Sequence, residues 1–153
     1  MYSELAKYYD LLYQWKDYKK EAEDIKLLIT KYKKSFGKEL LEVACGSGKH
    51  LEFLKQDFNC FGVDLNEGIL NEAKAKHPEI NFQVADMITL DLKQKFDVIT
   101  CLFSAIGYVK TYENLEKTLK NFSEHLTVGG VLIIEPWFTE EVYKAGSPHL
   151  STY

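Results

Sequence analysis

Three carboxylates and one pair of glycines stand where apolar runs end. Glu42 lies inside ELLEVA, residues 39–44, just ahead of Ala44-Cys45-Gly46-Ser47-Gly48. Asp64 closes NCFGVD, residues 59–64, and Asp86 follows INFQVA, residues 80–85, with Met87 beside it. Glycines in a turn between a strand and a helix let the backbone approach a ligand where a side chain would collide. The helix start adds free N–H groups and positive partial charge. A carboxylate at the end of the second strand can accept both hydroxyls of a ribose. Asp86 can accept from an adenine amino group, with Met87 against the ring. Glu42 suits a ligand carrying an ammonium group better than one carrying phosphates. Each feature has a structural alternative: an ordinary turn for the glycines, a helix cap for Asp64, a turn contact for Asp86. Carboxylates at or near three successive strand ends favour the ligand reading, because open α/β sheets bind ligands at that edge.

Two phosphate-binding signatures are absent. A dinucleotide turn reads G-x-G-x-x-G, and here the third position is Leu51. A P-loop needs Lys followed by Ser or Thr, whereas Gly48-Lys49-His50 offers no hydroxyl. Among the histidines, His125 precedes the fifth apolar run and belongs at the opposite edge of the sheet, a structural position. His50 opens a helix beside the glycine turn and receives no role. Tyr108 follows the fourth run, at the edge where a second substrate would meet the first.

The elements that must position these residues alternate. Tyr18, Ala22, Ile25, Leu28, Ile29 and Tyr32 recur at helical spacing and predict an amphipathic helix of about five turns. Five runs rich in Val, Ile and Phe follow: 39–44, 59–64, 80–85, 96–102 and 129–135. They have the composition of buried parallel strands. Helices are expected over 50–56, over 66–76 with Asn66 as N-cap, and over 114–126, where Leu115, Leu119, Phe122 and Leu126 share a face. Residues 86–95 are too few for a full helix and read as a loop. The alternation predicts an α/β fold with a parallel sheet covered by helices on both sides. No repeat or interdomain linker interrupts it.

The bulk numbers limit the partners. A chain of 153 residues that is 46% hydrophobic makes one domain with a real core. A formal net charge of -4 argues against a nucleic-acid surface. Eight of the 19 lysines fall between Lys16 and Lys38, interleaved with Glu21, Glu23 and Asp24, as on a solvated helix face. Cys45, Cys60 and Cys101 form no CxxC pair, which fits reduced thiols in the cytoplasm. No basic start leads into an apolar stretch, and the longest apolar run, Val98 to Val109, is short of the roughly 20 residues of a membrane span. Neither a membrane nor a nucleic acid is expected as partner.

Together LLEVACGSGKH, GVDL, ADM and HLTVGGVLIIEPW resemble the class I S-adenosylmethionine-dependent methyltransferases, in order and in spacing. Ala44 stands where a first glycine is common in that family. A narrower likeness joins YYDLLYQWKDYKKEA, CLFSAIGY and GGVLIIEPWF to the N,N-dimethyltransferases of nucleotide-linked amino sugars, of the desosamine and mycaminose type. The resemblance implies a Rossmann-like sheet in the order 3-2-1-4-5, with S-adenosylmethionine as cofactor and a small-molecule amine as acceptor. It implies cofactor contacts at Tyr9, Tyr18, Ala44, Cys45, Gly46, Gly48, Asp64, Leu65, Asp86, Met87 and Leu102. Tyr2 and Tyr108 face the acceptor as catalytic residues; relatives can carry histidine at the latter position.

The resemblance also divides the chain into an N-terminal helical lid (1–36), a core (37–135) and a tail (136–153) that stops before two further strands. Three alternatives are kept apart: methyl transfer to an amine, a cofactor-binding module without an acceptor site, and a nicotinamide-dependent oxidoreductase, which Leu51 disfavours. The fifth run, apolar on both faces, would border the sheet. That predicts self-association through this edge, or continuation in a longer polypeptide.

Overall fold

The computed structural model describes residues 16–136. Strands β1 (Glu39–Val43), β2 (Asn59–Asp64), β3 (Asn81–Val84), β4 (Phe96–Cys101) and β5 (Leu126–Ile134) form one sheet in the order β3-β2-β1-β4-β5. Every pairing is parallel. Helices α1 (Tyr18–Tyr32), α2 (Leu51–Leu54), α3 (Glu67–Lys76) and α4 (Tyr112–His125) cover it, with a short 3-10 helix at Ala105–Val109. This is the expected Rossmann-like arrangement. All five strand C-termini therefore end at one edge.

Alternation along the strands divides the core. Leu40 and Val98 pack on the side where α1 buries Ala22, Ile25 and Ile29. Leu41, Val43, Val63 and Ile99 pack on the other, against Phe122 of α4. Helix starts are capped by side chains the sequence supplies. Asp17 accepts from the Lys20 N–H at 2.9 Å, Asn66 from Gly68 and Ile69, and Thr111 from Asn114 at 3.2 Å.

Several expectations need correction. Helix α1 has 15 residues, about four turns, and leaves Leu28 and Tyr32 exposed. The stripe Ala22-Ile25-Ile29 is enough to seat it, and the flanking apolar side chains face away. The helix after the glycine turn has only four residues. On α4 the buried face runs through Thr118, Phe122 and His125, and Leu119 is exposed. A leucine pattern alone did not show which face meets the sheet. Strand β5 starts at Leu126, directly after α4, three residues earlier than the glycine pair indicated. Gly129, at φ +81°, makes an irregularity inside it. Its carbonyl accepts from Lys34 and Ser35, and a Cβ there would come within 3.1 Å of the Ser35 nitrogen. Residues 86–95 are indeed a loop. His125 holds it in place: Nε2 accepts the Leu92 N–H at 3.0 Å and Nδ1 donates to the Asn121 carbonyl at 2.7 Å.

Candidate functional site

The C-terminal ends of the strands collect most of the residues singled out by type and spacing. After β1 the chain turns through Ala44, Gly46 and Gly48, all at positive φ (56°, 56° and 80°). The Cys45 N–H still donates to the Val63 carbonyl at 3.0 Å, and Gly48 closes the turn onto the Cys45 carbonyl at 3.0 Å. A side chain at Gly48 would meet the His77 ring at 3.2 Å, so this glycine serves both conformation and space.

Asp64 fastens this turn to the next helix. Oδ2 accepts the Gly46 N–H and Oδ1 the Asn66 N–H, each at 2.9 Å. It does not cap α3, since Asn66 does. Among the described residues these two bonds leave one lone pair on each oxygen. The Ala85 N–H donates to the Asp64 carbonyl at 3.0 Å, which places Asp86 next in the row. Asp86 Oδ1 accepts the Ile88 N–H at 2.8 Å, the turn contact allowed for it. Met87 is half-buried against the α4-side core, and Leu65 is exposed. Leu102 is buried on the α1 side.

Beyond β4 the backbone is strained. Phe103 and Ser104, neither of them glycine, lie at φ 51° and 59°. Glu135, just past β5, holds both: its side chain accepts the Phe103 N–H at 2.8 Å and its carbonyl the Ser104 N–H at 3.1 Å. The 3-10 helix that follows presents Tyr108 with 64% of its surface exposed. Tyr18 lies at the start of α1, edge-on to His50 with ring centroids 5.0 Å apart. Tyr2 and Tyr9 lie outside the described residues.

A chain of charges beneath the glycine turn escaped the sequence reading. Glu42 is 2% exposed on β1. Its Oε1 lies 3.2 Å from His50 Nδ1, and its Oε2 has no hydrogen-bond partner among the described residues. His50 Nε2 lies 2.8 Å from Glu21 Oε2, and Glu21 in turn meets Lys16. The Lys16 side chain is buried, contrary to the solvated face expected for it, with its ammonium 4.6 Å from the Phe103 ring centroid. Burial is the first influence on His50 and lowers its pKa. The hydrogen bond and charge of Glu42, then those of Glu21, outweigh it and leave the pKa raised above 6.5. The Cys45 thiol is pushed well up, by burial first and then by the Glu42 and Asp64 charges, so it is no nucleophile.

A shallow cavity of about 290 Å³ lies at the other edge, between the first residues of β1, β2 and β3. Its polar lining is mutually paired, Glu39 with Asn59 and Gln94, Lys55 with Glu79. It has no part in the site.

Residues 40–130 match the methyltransferase domain family, a span that takes in the glycine turn, Asp64, Asp86 and the strained turn after β4. The chain belongs to that family. This methyltransferase domain is 38% identical over 144 residues to the dTDP-3-amino-3,4,6-trideoxy-alpha-D-glucopyranose N,N-dimethyltransferase of Streptomyces venezuelae, covering 92% of the chain and 60% of that protein. It is 34% identical to the dTDP-3-amino-3,6-dideoxy-alpha-D-glucopyranose N,N-dimethyltransferase of Streptomyces fradiae, covering 94% of the chain and 57% of that protein. Among solved structures, S. venezuelae DesVI superposes with a TM-score of 0.87 at 38% identity, covering 93% of the chain and 61% of DesVI. The methyltransferase domain thus spans about 60% of the length of these relatives.

Proposed function

We propose that the strand C-termini bind S-adenosylmethionine and that the protein transfers its methyl group to the amine of a nucleotide-linked amino sugar. The observation that carries this reading is the buried Glu42 carboxylate, with one oxygen uncommitted beneath a glycine turn, in a row with Asp64 and Asp86. A buried, unpaired carboxylate oxygen is costly unless a cationic partner meets it. The ammonium of an amino-acid moiety fits it, and the open backbone of Ala44, Cys45, Gly46 and Gly48 fits close approach by that moiety.

In this reading the free lone pairs of Asp64 take the ribose hydroxyls, with Leu65 alongside. Asp86 and Met87 hold the adenine. Leu102, Tyr18 and Tyr9 complete the cofactor contacts. Tyr2 and Tyr108 lie on the acceptor side. When bound, the cofactor supplies a methyl group on an electrophilic sulfonium. The chain's task is to hold an unprotonated amine in line with it, and positioning of that kind supplies about 7–11 kcal/mol in favourable cases. Tyr108 can accept or donate a hydrogen bond to that amine, but a phenol with a reference pKa near 10 is a poor base.

The acceptor is a small molecule, with no nucleic acid or membrane as partner. Among the described residues no helix is long and apolar enough to cross a membrane. The three unpaired cysteines agree with a cytoplasmic setting. The relatives' names favour an enzyme over a cofactor-binding module. Incubation with S-adenosylmethionine and a dTDP-linked 3-amino sugar, followed by mass spectrometry, should reveal the dimethylated amine. Cofactor binding without any methylated product would leave the module reading instead.

A further inference from the structure

His50 has a carboxylate at each ring nitrogen: Glu42 Oε1 3.2 Å from Nδ1 and Glu21 Oε2 2.8 Å from Nε2. A neutral imidazole has one N–H and would turn a lone pair toward one of these acceptors. Only the imidazolium satisfies both. The groups facing it are Glu42 from β1, Glu21 and Tyr18 from α1, and Lys16 just ahead of α1, which holds Glu21. His50 is 6% exposed, so water does not replace a missing partner. From its second turn onward α1 is seated by the buried Ala22, Ile25 and Ile29, and needs no such link. Ahead of that stripe, Tyr18 and Glu21 of the first turn meet His50, and Lys16, just before the helix, holds Glu21 and lies over Phe103. Phe103 belongs to the strained turn at the strand edge. The ion chain therefore runs from the sheet interior to the rim of the candidate site.

We propose that protonated His50 is a positioning residue that locks the first turn of α1 onto the strand edge and fixes Glu42 with one oxygen left for the ligand's ammonium, so that ligand affinity falls as His50 loses its proton. The inference rests on the S-adenosylmethionine reading of this edge. A histidine whose folded pKa is raised contributes its full stabilisation below the unfolded value near 6.5 and loses it as the pH rises through the folded value. Beyond that point Glu42 and Glu21 face each other across a neutral ring, and the first turn of α1 loosens.

Three measurements on the whole chain test this from about pH 6 upward, because the shift of His50 is upward from its ordinary value. They are an NMR titration of the His50 ring (assigned by its loss in His50→Gln), amide hydrogen exchange of α1, and calorimetric titration with S-adenosylhomocysteine. The His50 midpoint should lie above 6.5. Exchange at the start of α1, divided by the intrinsic rate at each pH, should accelerate through that midpoint, and affinity should fall on the order of 5-fold or more. Glu21→Gln, which keeps the size of the side chain, should move all three midpoints acidward by about 1 unit. His50→Gln should bind with little dependence on pH. An ordinary or lowered His50 midpoint, or a Glu21→Gln midpoint that does not move, overturns the lock. Absence of binding at every pH, with α1 exchange still following a raised His50 midpoint, keeps the lock and overturns the reading of the site.

Discussion

Ala44 adopts a φ of 56°, a conformation that L side chains visit at a cost of about 1–2 kcal/mol. The family resemblance marks this position as one where glycine is common, and the backbone gives the reason. Ala44→Gly should therefore relieve strain and largely offset the added freedom of the unfolded chain, leaving stability within about 0.5 kcal/mol or raising it. Gly48→Ala should do the opposite and cost about 1–3 kcal/mol, since it adds the same strain plus a contact with His77. Thermal melts of the two variants check this pair; a large destabilisation by Ala44→Gly contradicts it. Asp64→Ala should lower the melting temperature, because two backbone N–H groups lose their acceptor. It should also weaken S-adenosylhomocysteine binding by about 2–3 kcal/mol through lost charge-assisted hydrogen bonds. Undiminished affinity in a folded variant would show that Asp64 only fastens the turn.

At the scale of elements, the loop 86–95 and helix α4 depend on each other through His125. Removing that ring leaves the Leu92 N–H without its acceptor. His125→Ala should cost about 1–3 kcal/mol of stability. Affinity and any methyl transfer should stay near normal, because the contact lies away from the strand C-termini. A large fall in turnover at unchanged melting temperature would refute this. The same elements show what a sequence can disclose. The strands were legible because buried parallel strands are continuous apolar runs, and the glycine turn, Asp64 and Asp86 because each is a local pattern next to such a run. The face of α4 was not legible, because Leu119 and Thr118 exchange the places their polarity suggests. The chain Lys16-Glu21-His50-Glu42 was not legible either. Glu21 and His50 are 29 residues apart, and only the docking of α1 brings them together.

At the scale of the whole molecule, β5 borders the sheet that the described residues form. It pairs with β4 on one side, and among the described residues nothing pairs with the other. Its residues are half-buried at best, and Val128 is 98% exposed. An open edge with apolar side chains on both faces is a template for another strand. Tail residues Trp137, Phe138 and Tyr143 lie outside the described residues. The chain as it stands should self-associate through this edge, and light scattering across a concentration series should report growing mass. A monomer of ordinary stability at high concentration would show that the edge is covered.

We propose that a site for a nucleoside bearing an amino-acid group, rather than a dinucleotide, lies at the strand C-termini. It rests on Glu42, Asp64 and Asp86 around a turn whose third glycine position is Leu51. Calorimetric titration of the chain with S-adenosylhomocysteine and, separately, with NAD tests it most directly. Saturable heat with S-adenosylhomocysteine and none with NAD is the predicted result; tight binding of NAD with no response to S-adenosylhomocysteine would contradict it.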